Sequence, residues 1–318
     1  MKGISVYLKQ AFVIWGLLLS QVPIFVFGQG SLDIVSHTKK GGVSYGICVD
    51  EEYAFVTNNN GVYVFDINNP RNPTLVSKIN TGVTFGIDMQ DDQAFIIGGD
   101  KLRIVNIIEP ANPIIIKELC YEEYSQSLIA EDTYLYIANE RGLDILDISD
   151  ANQIRNISHF GDSWYRTVVI KEGIAYLANY NSGVEVIDVS DPTRPKRIAT
   201  VSGTERAVNL HVHSDFLFVA RSNLGISILD ISIKESPKFI SSFCDNDDGE
   251  AKDVWGDEEY IFIQDGFGVE VIDISDPSKP FEICENRKSG GHEIFYDGDF
   301  VYVATGRKGM IVLQLQGI

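Results

Sequence analysis

The sequence predicts an all-β protein, a seven-bladed β-propeller, and three observations predict it. A block recurs seven times at a spacing of about forty residues. Each period carries four short strand signals, and no window shows a sustained helical period.

The block reads Gly61-Val-Tyr-Val-Phe-Asp66, Lys101-Leu-Arg-Ile-Val-Asn106, Gly142-Leu-Asp-Ile-Leu-Asp147 and Gly183-Val-Glu-Val-Ile-Asp188. It continues as Gly225-Ile-Ser-Ile-Leu-Asp230, Gly268-Val-Glu-Val-Ile-Asp273 and Gly309-Met-Ile-Val-Leu-Gln314. Successive starts lie 40, 41, 41, 42, 43 and 41 residues apart. In the fourth period an alternating segment, Thr167-Val-Val-Ile-Lys171, comes first, and Ala175-Tyr-Leu-Ala178 follows a short polar turn. The block is the third strand. A Ser190-Asp-Pro-Thr-Arg-Pro195 turn then leads into Arg197-Ile-Ala-Thr-Val201. Short runs rich in Val, Ile and Tyr, bounded by Gly, Pro and Asp, read as strands. Four of them in antiparallel order make a propeller blade.

Seven third strands are followed by only six fourth strands. The missing one is expected near the start, where Leu32-Asp-Ile-Val-Ser-His37 resembles a fourth strand and would complete the blade begun by residues 292–315. Such closure removes open sheet edges. Residues 29–318 then form one domain.

The G-[VIL]-x-[VI]-x-D-[IV]-S-D-P-x-x-P pattern resembles the LVIVD repeat family of exported propeller proteins, over nearly all of residues 32–315. The second copy departs from it at Lys101, Asn106 and Ile108-Glu109, and the seventh lacks the Asp. The resemblance implies a propeller and export; it implies no general activity or catalytic residue.

With 45 acidic against 26 basic residues the net charge is −19, which repels phosphate, so nucleic acid is not an expected partner. Residues 1–28 read as a signal peptide: Lys2 and Lys9 precede an almost wholly apolar run over residues 11–27, and small Gly28 ends it before Gln29. The expectation is a secreted, periplasmic or cell-surface protein, monomeric, with no stable membrane insertion after cleavage.

No cofactor or metal is expected. Asp245-Asn-Asp-Asp-Gly-Glu250 lacks the order of a calcium loop and reads as a solvated loop. His211 and His213 share one side of a strand but lack a third ligand. The recurring Asp66, Asp147, Asp188, Asp230 and Asp273 stand before turns, where a carboxylate binds backbone N–H groups. Cys48 reads as a small hydrophobe, and Cys244 and Cys284, one repeat apart, leave a bridge between blades open.

Function is expected where the copies disagree. The loops from fourth to first strands and from second to third strands should emerge together around the central channel. Aligned first strands give one ring, Tyr45, Phe85, Gln126, Arg166, Val208, Lys252 and His292. The next ring is Gly46, Gly86, Ser127, Thr167, Asn209, Asp253 and Glu293. Tyr124, Trp164, Tyr165 and Arg206 are near neighbours, with Asn179-Tyr180-Asn181 on an adjoining loop. Aromatic faces cover apolar sugar faces, while amides, carboxylates and a forked guanidinium bind hydroxyls or an acid group.

Two functions fit. One is a non-catalytic binding or scaffold protein that recognises an extracellular glycan or a protein at the channel mouth; no G-x-S-x-G, HExxH or phosphate-binding loop is present. The other is an extracellular polysaccharide lyase or hydrolase at the same mouth. There Tyr165 or His292 would move a proton beside Arg166 or Lys252, or Asp253 and Glu293 would act as a carboxylate pair.

Overall fold

A computed structural model describes residues 30–39, 42–50, 52–151, 153–244 and 249–317. The expected signal segment, residues 1–28, lies outside the described residues, as does most of the acidic run, residues 245–248. Among the described residues no helix is long and apolar enough to cross a membrane.

Every period folds as expected into a four-stranded antiparallel sheet, and there are seven sheets. The first blade comprises Ser44–Asp50, Tyr53–Asn58, Gly61–Asp66 and Thr74–Ile79. The seventh takes Glu293–Tyr296, Phe300–Ala304 and Met310–Gln316 from the end of the chain and Ser31–Thr38 from its beginning. In that closure Leu32 faces Leu315 and Ile34 faces Leu313.

The apolar residues of the block alternate across each sheet, so every blade offers a hydrophobic face to both neighbours. Seven core clusters result, one at each junction between blades. Leu32 is buried in the cluster shared by blades six and seven. Trimming it to Ala would cost ~2–5 kcal/mol through lost burial and a cavity.

The framework residues have structural causes. A Cβ at Gly61 would stand 2.2 Å from the Ile79 carbonyl oxygen, and one at Gly268 would stand 2.1 Å from that of Asn286. The block begins with Gly because the third strand starts hard against the fourth. Each recurring Asp accepts the N–H two residues on: Asn68 to Asp66 at 2.9 Å, Ser149 to Asp147 at 3.0 Å, Ser190 to Asp188 at 3.0 Å, Ser232 to Asp230 at 2.8 Å and Ser275 to Asp273 at 2.9 Å. The following proline latches blades together, since Ser77 Oγ donates to Pro110 O and Ser158 Oγ to Pro192 O, each at 2.6 Å.

None of the four cysteines is in a disulfide, so Cys244 and Cys284 are not bridged. Cys48 is half-buried on the first strand of blade one, and burial pushes its thiol up.

Candidate functional site

All seven residues of the first ring line one cavity at the mouth of the channel, about 490 Å³ in volume. Tyr45, Phe85, Gln126, Arg166, Val208, Lys252 and His292 each stand at or just before the start of a first strand, so sevenfold repetition brings them onto one rim. Gly86, Ser127, Thr167, Asn209 and Glu293 of the second ring reach the same space, with Tyr180, Ser222 and Glu250.

One side of the rim is an unbroken arc of rings. His292 lies 5.7 Å from Tyr45, Tyr45 lies 5.2 Å from Phe85, Phe85 lies 5.5 Å from Tyr124, and Tyr124 lies 6.2 Å from Trp164, centroid to centroid. These spacings suit tilted and edge-to-face contacts. The Arg166 guanidinium continues the arc, 4.6 Å from the Trp164 ring and 5.6 Å from that of Tyr180. Tyr124 and Trp164 are exposed at 37% and 43%. Gln126 Nε2 donates to the Tyr124 hydroxyl at 2.8 Å and fixes that ring. Trp164, Arg166 and Tyr180 also line an adjoining pocket of about 460 Å³ with Asn179 and Asn181.

Three expected site residues lie elsewhere. Tyr165 is fully buried between blades three and four, where its hydroxyl donates to Glu185 Oε2 at 2.8 Å. Burial and Glu185 hold that hydroxyl far above the ordinary tyrosine range, so it is no proton carrier at the mouth. Asp253 is only 4% exposed, and its two oxygens accept backbone N–H groups, from Val254 at 2.8 Å and Ile294 at 2.7 Å. Arg206 is drawn sideways to Asn223 and does not line the cavity.

Asp253 exposes what much of the second ring does. Its side chains, and neighbours standing in for them, stitch each inner strand to the next blade. Thr57 Oγ1 donates to Phe85 O at 3.0 Å in place of the side chain that Gly46 lacks. Asp88 Oδ2 accepts Ala130 N–H at 2.7 Å and Ser127 Oγ accepts Val168 N–H at 3.3 Å. Thr167 Oγ1 donates to Val208 O at 3.0 Å, and His211 Nε2 bonds Gly256 O at 3.0 Å. Asp253 reaches Ile294, and Glu293 Oε2 accepts Ile47 N–H at 2.8 Å to close the circle. Gly46 permits that approach, since a Cβ there would stand 2.6 Å from Glu293 Oε2.

Burial dominates the electrostatics of these stitches. Asp88 is pushed up to about 6 by desolvation. Desolvation holds Asp253 well above the usual carboxylate range, and desolvation with the nearby Asp253 does the same to Glu293. His211, tilted against Trp255 at 4.0 Å between ring centroids, is pushed down to about 4 by burial. His213 instead pairs with Glu258 at 2.8 Å, so the two histidines do not converge. Desolvation, then the Lys252 charge, lowers His292.

The third residue of the block is a second polar position inside the blades, beyond the sites expected from the sequence. Asp144 is buried and held by Tyr121 Oη at 2.6 Å and His159 Nδ1 at 2.7 Å; Glu185 meets Arg197 at 2.8 Å; Arg103 meets Glu118 at 2.9 Å. Its signal was a charged residue in the centre of an otherwise apolar strand.

Seven closed blades around a recessed polar mouth define a β-propeller with a cavity at the mouth of its channel. The repeats assign it further: residues 41–81, 123–154, 165–202, 206–245 and 248–285 match the LVIVD repeat, and the chain belongs to that family. The unmatched stretches contain the two departing copies, in blades two and seven. No curated protein is similar in sequence to the chain. Among solved structures, the β-propeller domain of Cps50 (Swd1) from Myceliophteria thermophila is similar with a TM-score of 0.74 at 10% identity, covering 90% of this chain and 100% of that one. The computationally designed Ika8 protein is similar with a TM-score of 0.64 at 10% identity, covering 89% and 100%. At such identity the likeness concerns the fold alone.

Proposed function

We propose that this chain is an exported, non-catalytic binding propeller whose channel mouth takes a glycan. The observation that carries the reading is the aromatic arc from His292 through Tyr45, Phe85 and Tyr124 to Trp164. Ring faces held on a rigid rim cover the apolar faces of sugars, and Gln126, Asn179, Asn181 and Asn209 nearby supply donors and acceptors for hydroxyls. Export is supported by the basic and apolar pattern of residues 1–28 and by the repeat family the sequence resembles. The enzyme reading is weaker, because buried Tyr165 and doubly bonded Asp253 are withdrawn from the roles it needs.

A thermal-shift screen over soluble oligosaccharides tests it, because a ligand of the folded state stabilises it by about 2.7 kcal/mol at a hundredfold excess over Kd. The expected result is a rise of several degrees with at least one glycan, lost in Trp164→Ala and Tyr124→Ala. A flat response across neutral and acidic glycans, or a rise that survives both substitutions, overturns it.

A further inference from the structure

The cup carries two cations that no carboxylate pairs with among the described residues. Elsewhere partly buried cations of this acidic molecule have carboxylate partners: Arg103 meets Glu118, Lys234 meets Glu172 at 3.0 Å, and Lys171 meets Asp215 at 3.2 Å. Arg166 and Lys252, both lining the cavity, have no such partner among the described residues. Arg166 Nε is buried without a hydrogen-bond acceptor, while its guanidinium is braced between Trp164 and Tyr180. A buried donor left unsatisfied is destabilising, so an acceptor brought to this guanidinium is favoured.

Two carboxylates also line the cavity, Glu250 and Glu293. Glu293 faces Asp253, Asp88 and Cys48 from the neighbouring blades, and desolvation, then the nearby Asp253, holds it well above the usual carboxylate range. Its charge is suppressed, so Arg166 and Lys252 face chiefly the Glu250 carboxylate and outnumber it. The cup is a cationic recess in a chain of net charge −19. Such a recess attracts anions that the rest of the surface repels.

The geometry points to an acidic glycan as the ligand, with its carboxylate or sulfate held in the cup between Arg166 and Lys252 and its sugar rings against the aromatic arc. This rests on the glycan reading above. Calorimetric titration of the full folded protein tests it with four probes: oligogalacturonate, a neutral galactose oligomer of equal length, the same neutral oligomer sulfated, and polyglutamate. One of the two acidic glycans should bind at least tenfold more tightly than the neutral one, and which of them does identifies the acid group. Arg166→Gln and Lys252→Gln should each bring the acidic-to-neutral ratio close to one. Folding of each variant is checked by its unchanged melting transition, and Arg166→Lys, which keeps charge but loses the fork, should recover only part of the preference.

Neutral binding equal to or tighter than both acidic forms overturns the anion assignment and leaves the glycan reading intact. Polyglutamate binding as tightly as the preferred acidic glycan reduces the site to plain charge attraction and also overturns it. No binding by any sugar removes the glycan reading itself.

Discussion

The first and second rings of the channel differ by one residue in each blade, and both change from blade to blade, but for different reasons. In the first ring Arg166 and Lys252 bring charge with no carboxylate partner among the described residues into a cavity, and Tyr45 and Phe85 show their rings to it. In the second, much of the variety is several solutions to one problem: joining an inner strand to the next blade. Thr167 does so as a hydroxyl donor, Asp253 and Glu293 as carboxylate acceptors. Variation among repeats is therefore no guide to function until the hydrogen-bonding demand at each position is known. Where the backbone of the neighbour already asks for a donor or acceptor, a polar side chain has a sufficient structural cause.

Substitutions can break this contrast. Glu293→Ala, measured by urea unfolding at pH 5, should lower stability by ~1–3 kcal/mol, because it orphans the Ile47 N–H at the junction that closes the ring. Stability should also fall as pH rises from about 4, the unfolded carboxylate range, through neutral. Asp88, Asp253 and Glu293 hold protons more tightly folded than unfolded, so the folded state loses ground over that window. Below it the opposite holds, since the turn carboxylates Asp188 and Asp230 are lowered by their Ser190 and Ser232 hydrogen bonds and lose that stabilisation when protonated. A melting maximum near pH 5 is expected, with Glu293→Gln flattening its alkaline side.

On the first ring the expected effects move to binding. Trp164→Ala should weaken glycan binding about tenfold, roughly 1.4 kcal/mol, while shifting the urea midpoint little, because its ring is exposed. Thr167→Ser should be the mildest change, within about 0.5 kcal/mol in stability, since the hydroxyl that reaches Val208 O is kept.

Much of this was legible in the sequence. The block spacing gave the blades, and the match of residues 32–37 to a fourth strand gave the closure that Leu32 and Leu315 now make. The first ring was found because its residues sit at a fixed offset from the block. Tyr165 is expected at the mouth as the chain neighbour of Arg166, but consecutive strand side chains point to opposite sides, and its ring turns into the junction between blades three and four. Asp253 and Glu293 looked like a catalytic pair because their partners, the N–H groups of Ile294 and Ile47, are backbone atoms of another blade. No side-chain pattern announces such a bond.

Lys252 and Asp253, neighbours on one chain segment, allow the most direct measurement. Unfolding free energy and acidic-glycan affinity would be measured together on Lys252→Ala and Asp253→Ala at pH 6. Lys252→Ala should lose affinity at least tenfold with stability within about 0.5 kcal/mol, and Asp253→Ala should lose ~1–3 kcal/mol of stability with the binding of its folded fraction unaltered. If Asp253→Ala abolished binding at unchanged stability, or Lys252→Ala unfolded the protein and left binding intact, the division between a ligand ring and a stitching ring would be wrong.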